Sequence, residues 1–226
     1  MSFRIHPAGI PFVIGFALAA ALLWWVTPWL GVPGAVIALW CLWFFRDPDR
    51  ATPGLPGMVY SPADGRIVGV TQAPPPAELG MGDTPLQRVS VFLNIFNVHV
   101  NRVPMAGIVT GLHYHAGKFL CASFDKASVH NERQSVRLTT ADGQDVVFVQ
   151  IAGLIARRII CTLRLDQAVR GGERYGLIRF GSRADIYLPP GSTVLVSVGD
   201  HVAGGVSEIA RLPGSNAQAG IPGAAS

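Results

Sequence analysis

From Ile5 to Phe45 the chain runs for 41 residues without one Asp, Glu, Lys or Arg, and all five Trp fall inside that stretch. So long an apolar run has to be withdrawn from water, into protein or into lipid. Residues 11–27 form one apolar segment. Pro28, Gly31, Pro33 and Gly34 interrupt it, and residues 35–45 form a second. As helices at ~1.5 Å per residue the two reach about 25 Å and about 16 Å, against a hydrocarbon core of ~30 Å. The pattern predicts an apolar helical hairpin over residues 1–45 that dips into or crosses a bilayer. Arg4 precedes it and Arg46 and Arg50 follow it, which places both ends on the cytoplasmic face of the cell membrane. Trp24, Trp25 and Trp29 suit the far interface, and Trp40 and Trp43 the near one. A cleaved signal peptide would need a small-residue cleavage site before the second apolar run, and none is present. A hairpin buried in protein is the alternative.

The rest of the chain is polar enough to fold in water. Over all 226 residues, 50% are hydrophobic and 14% charged, which excludes a disordered polyelectrolyte. The net charge of +4 is carried by scattered arginines, with no run of five basic residues. Nucleic acid is therefore not the expected partner, whereas an anionic lipid surface fits. Cys41, Cys121 and Cys161 are far apart and lack metal-ligand spacing, so neither a disulfide framework nor a metal site is expected.

Residues 46–57 (RDPDRATPGLPG) read as an exposed linker at the start of a domain over 46–212. Short β-branched runs recur at 66–70, 88–93, 107–114, 135–140, 145–153 and 193–198, with turn signals between them such as Asp64-Gly65 and Asp142-Gly143. The expected fold class is mainly β (α+β), with hybrid-barrel-like strands behind the hairpin. Helices are expected in part of 120–130 and over 154–164. Residues 73–85 read as a flexible excursion and 213–226 as a disordered tail.

Four stretches carry candidate chemistry. In GLIRFGSRADIYLP (176–189), Gly181 frees the backbone beside the Ser182 hydroxyl; a turn or bulge is the plainer reading. In YSPADG (60–65), Asp64 is either a turn residue or the acid that orients a histidine. In FLNIFNVHVNRVP (92–104), strand alternation would put Leu93, Ile95, Asn97, His99, Asn101 and Val103 on one face, the wall of a site at the edge of a core. An imidazole there suits general-base work, although a single His is more often structural. GKFLCASFDKASVHNER (117–133) is dense in polar groups, among them Lys118, Asn131 and Arg133. The strand-turn-strand pattern of residues 196–210 is like a biotinyl- or lipoyl-type half-barrel, yet it lacks the lysine a swinging arm needs.

The order of these stretches is more specific than any one of them. SPADG, FLNIFNVHVNRVP, GKFLCASFDKASVHNER, GLIRFGSRADIYLP and VGDHVAGG, from Arg46 to about Arg211, together resemble the short form of phosphatidylserine decarboxylase. Three positions depart from longer bacterial members. Those carry Leu-Gly-Ser-Thr where this chain has Phe180-Gly181-Ser182-Arg183, and a second histidine where it has Arg102.

The resemblance implies a self-cleaving proenzyme cut between Gly181 and Ser182, with Ser182 becoming a covalent pyruvoyl group and His99 and Asp64 serving as base and orienting acid. It implies a β chain (1–181), an α chain (182–226) and an anionic phospholipid substrate converted to phosphatidylethanolamine and carbon dioxide. It also implies membrane attachment and a homodimer, and Lys118, Asn131 and Arg133 are the candidate substrate-binding residues. A non-catalytic membrane-tethered β module and a serine hydrolase using Ser182 remain the alternatives, and both predict one unbroken chain.

Overall fold

The computed structural model describes residues 4–117, 131–153, 159–179 and 182–214. Two apolar helices come first: α1 (Ile10–Val26), entered through a 3-10 turn at Pro7–Gly9, and α2 (Pro28–Phe44). The prolines and glycines expected to hold them apart lie inside α2 instead. Thr27 alone, in an extended conformation, makes the turn, and Pro28 starts the next helix, where a missing N–H costs nothing. Small residues let the helices close on each other. A Cβ on Gly31 would sit 2.7 Å from the Trp24 backbone, and one on Gly34 would sit 3.0 Å from Ala20. Residues 7–26 are long and apolar enough to cross a membrane, with a mean hydropathy of 2.1.

The hairpin stands on the β domain by its open end. Ile5 bridges to Arg46, His6 N–H donates to Phe45 O at 2.8 Å, and Asp47 N–H donates to Arg4 O at 2.7 Å. Cys41, Phe44 and Phe45 are fully buried there against Val98, Val100 and Leu177. At the other end Trp25 and Trp29 are each 87% exposed.

The remainder is mainly β, as expected. Its strands are β1 (Met58–Tyr60), β2 (Gly65–Ala73), β3 (Leu86–Leu93), β4 (Val100–Arg102), β5 (Gly107–His115), β6 (Arg133–Thr139) and β7 (Asp145–Ala152). There follow β8 (Ile159–Cys161), β9 (Ala168–Val169), β10 (Arg174–Ile178), β11 (Ser182–Leu188), β12 (Thr193–Val194), β13 (His201–Val202) and β14 (Glu208–Arg211). Eight of them form a curled sheet in the order β13-β2-β3-β11-β7-β6-β5-β9. Two three-stranded sheets, β4-β10-β8 and β1-β14-β12, accompany it.

Strand alternation explains why the sheet is buried on both sides. Val146 and Phe148 of β7, Val89 and Val91 of β3, and Ile186 and Leu188 of β11 face the main core. Val147, Val149, Ile151 and Tyr187 face outward and are buried too, because Ala73, Leu79, Met81 and Leu86 pack over them. The excursion at 73–85 is thus a cover for the outer face, secured by Glu78. That carboxylate accepts from Arg133 Nε at 2.8 Å and Ser135 Oγ at 2.9 Å. Burial opposes ionisation of Glu78, yet hydrogen bonds from Arg133, its own backbone and Ser135 hold its pKa down at about 2.

Two further expectations are corrected. In 154–164, expected to be helical, Ile159–Cys161 instead form β8, whose β-branched residues pair with β10. The linker at 46–57 is not simply exposed: Asp47 is buried, and it accepts from Arg174 Nε at 2.7 Å with Arg102 Nη2 3.7 Å away. The 120–130 helix and all but the first two residues of the 213–226 tail lie outside the described residues.

Candidate active site

Ser182 opens β11, the strand at the middle of the large sheet, directly opposite Leu93 of β3 and Ala152 of β7. It is fully buried, and its Oγ has no hydrogen-bond partner among the described residues. Leaving a buried hydroxyl unpaired costs on the order of 1–3 kcal/mol, so such a group calls for a reason beyond packing. Its face of β11 also carries Ala184, which packs with Leu93 and with Ala63 beside Asp64.

His99 immediately precedes β4, a strand of another sheet. The face expected to run unbroken from Leu93 to Val103 is interrupted, because Asn94 and Asn97 bend the chain between β3 and β4. Asn94 N–H donates to Asn97 Oδ1, and Phe96 N–H donates to Asn94 Oδ1, both at 2.8 Å. Burial resumes beyond the bend at Val98, His99, Val100 and Asn101. β4 pairs with β10, and His99 O accepts from Ile178 N–H at 3.3 Å, four residues before Ser182.

The His99 ring is wholly enclosed. Phe44 of α2 lies 4.2 Å away between ring centroids. His99 Nδ1 sits 3.0 Å from Asn97 O, and because a carbonyl only accepts, Nδ1 carries the proton of the neutral ring. Nε2 is left as a bare lone pair, buried and without a partner among the described residues. Desolvation drives the His99 pKa down to about 4, Arg46 lowers it further, and the Asn97 carbonyl and Asp64 oppose them. The ring is therefore neutral at ordinary pH.

Asp64 does not touch the imidazole as a triad acid would. Its carboxylate is gripped by Arg50, through Nη1 and through Nη2 at 2.7 Å, and it accepts from Gly204 N–H at 2.8 Å. Arg102, at the position of the second family histidine, is bound elsewhere: it donates to Gly172 O at 3.0 Å and Pro48 O at 2.7 Å. Asn131 Nδ2 donates to Ala152 O at 2.7 Å, one strand across from Ser182. Arg133 is on the face of the sheet opposite Ser182, opening onto a cavity of about 290 Å³ with Arg88 and Tyr187, so this geometry does not bring it to Ser182. Lys118 and Gly181 lie outside the described residues.

Two features escaped the sequence reading. Gln150 of β7 is fully buried on the Ser182 face, and its Nε2 donates to Asn101 Oδ1 at 2.8 Å, which leaves Asn101 Nδ2 and Gln150 Oε1 unpaired. Behind Ser182, the Arg183 guanidinium forks onto the Asp185 carboxylate with two contacts of 2.6 Å, both side chains at most 2% exposed. The signal for that pair was two opposite charges at i and i+2 in a strand, hence on one face.

Ser182 Oγ and His99 Nε2 are thus both buried, and neither has a hydrogen-bond partner among the described residues. Comparison with known proteins agrees with the motif order. Residues 37–210 match the family model for phosphatidylserine decarboxylase. A phosphatidylserine decarboxylase proenzyme of Paramagnetospirillum magneticum is 54% identical over 210 residues, covering 93% of this chain and 88% of the relative. Proteins of the same name from Rickettsia africae and Rickettsia typhi are 55% and 54% identical over 206 residues, 91% of this chain and 89% of each relative. With identity this high along nearly the whole length, the chain belongs to the phosphatidylserine decarboxylase family.

Proposed function

We propose that the chain is a membrane-associated proenzyme that cuts itself between Gly181 and Ser182 and then decarboxylates phosphatidylserine to phosphatidylethanolamine and carbon dioxide. The observation that carries the reading is the pair of buried, unpartnered atoms, Ser182 Oγ and His99 Nε2, in a chain whose relatives are named as proenzymes. His99 Nε2 takes the Oγ proton, and Oγ attacks the Gly181 carbonyl carbon. The peptide C–N bond breaks, an ester replaces it, and the proton passes to the Ser182 nitrogen. Loss of the Ser182 Cα proton expels the Gly181 carboxylate, and water then releases ammonia to leave a pyruvoyl group on a 45-residue α chain. Holding a hydroxyl against its own carbonyl makes the attack unimolecular, worth up to ~7–11 kcal/mol in well-aligned cases.

Asp64 acts on this site through its field rather than by contact, since its charge favours the protonated imidazole while Arg50 holds it in place. A pyruvoyl group fits the position, because it derives from Ser182 itself and needs no separate binding residues. Once formed, it supplies a ketone that captures the substrate amine and an electron sink for the charge left by carbon dioxide. His99 holds and returns the proton at the reacting carbon in this reading, which its buried, unpartnered Nε2 supports, and the burial of the strand start keeps water away. The apolar hairpin supports membrane attachment, and Arg4, Arg46 and Arg50 at its root support a cytoplasmic β domain.

Intact mass and N-terminal analysis test the reading. Purified protein should yield a 181-residue fragment and a 45-residue fragment with a blocked N-terminus that reacts with hydrazines. Ser182→Ala should remain one chain, without decarboxylase activity. A single unbroken chain from active wild-type protein would refute the mechanism.

A further inference from the structure

The bend between β3 and β4 does more than redirect the chain. It presents Phe96 at 61% exposure and Ile95 at 37%, an unusual pairing of large apolar groups at a tight turn. The turn is held rigid by the Asn94 and Asn97 side chains. It is also fastened to the root of the hairpin: Arg46 donates from Nη1 to Trp43 O at 2.8 Å and from Nη2 to Phe96 O at 2.7 Å. The same guanidinium lies 4.2 Å over the Trp43 ring, which is itself half exposed. Immediately beyond the turn, Val98 is buried with Cys41 and Phe44 of α2.

We infer that the Ile95–Phe96 turn is a second membrane-docking element, which seats in the interfacial region of an anionic bilayer beside the hairpin and sets the height of the site above the lipid. This rests on the membrane-associated decarboxylase reading above. The occupant follows from continuity and charge. Arg46 ties the exposed Trp43 at the end of α2 to the exposed Phe96 of the turn, which sets a cation and two aromatic rings together, the combination that suits a lipid phosphate and the interfacial depth. The hairpin supplies one attachment to the bilayer. A second contact two residues from the buried His99 stretch fixes the orientation. Seating Phe96 removes roughly 100 Å² of apolar surface from water.

The test compares two forms of substrate on the full chain: phosphatidylserine in phosphatidylcholine vesicles, and a short-chain phosphatidylserine below its micelle concentration. Phe96→Ser should lower the vesicle rate about tenfold while the soluble rate and self-cleavage stay within about twofold. Phe96→Leu should keep the vesicle rate. Equal vesicle rates for Phe96→Ser and wild type would overturn the inference. A parallel fall on both substrates would do the same, by assigning Phe96 to the site or to folding. Should wild type decarboxylate neither substrate, the decarboxylase reading fails and a binding measurement decides this one. For that, a polarity-sensitive fluorophore is placed on Phe96→Cys after replacement of Cys41, Cys121 and Cys161 by Ala. Blue-shifted emission with phosphatidylglycerol vesicles supports docking, and unchanged emission overturns it.

Discussion

His99 shows how one enclosed side chain links burial to chemistry. An imidazole in water is half protonated near pH 6.5. Within this fold its pKa falls to about 4, and Nε2 keeps its lone pair. The linkage has a definite sign. As pH falls below 6.5 the unfolded chain takes up a proton that the folded chain refuses until about 4, so stability is intact above that window and declines through it. In the uncleavable Ser182→Ala precursor, lowering pH from 7 to 5 should remove about 2 kcal/mol through this residue. Urea unfolding should detect that loss, and adding His99→Gln should abolish that part of it. Equal pH slopes with and without the imidazole would contradict the placement.

Among the elements, β11 carries the heaviest demands. It is buried on both faces, with Ser182, Ala184, Ile186 and Leu188 toward the core and the Arg183–Asp185 pair behind them. A buried ion pair contributes little net stability, yet removing one partner strands the other charge. Asp185→Asn in the Ser182→Ala precursor should therefore cost about 3–5 kcal/mol in urea unfolding. Replacing both residues by apolar ones of similar volume should cost far less. The strand pattern of β2, β3, β5, β6 and β7 was legible because β-branched residues and turn dipeptides bracket each run. β8 was not: Ile159, Ile160 and Cys161 fit a helix as well as a strand, and only pairing with β10 decides between them. The break at residues 94–97 was equally hidden, since Asn side chains that close a turn also fit an alternating strand.

At the scale of the whole molecule, hairpin and β domain share a core. Cys41, Phe44 and Phe45 pack with Val98, Val100 and Leu177, and Phe44 lies on the His99 ring. The hairpin is thus part of the wall of the proposed site as well as the proposed membrane anchor. A chain lacking residues 1–45 should expose this apolar root, aggregate on size-exclusion chromatography without detergent, and cleave itself more slowly than the full chain. Monomeric protein maturing at the full rate would show the two parts to be independent.

The sequence by itself determined the apolar hairpin, the mainly β class and the family, because these follow from uninterrupted hydrophobicity, alternation and the order of short motifs. It also pointed to Ser182 and His99 as the residues to watch. Tertiary structure alone decided which of the candidate polar groups meet. Asp64 turned to Arg50, Arg133 to Glu78 on the far face, and Gln150 and Asn101 came together near Ser182. The physical reason is that a charged or amide side chain takes whichever partner the strand register brings within about 3 Å, and register is set by pairings between residues distant in the chain.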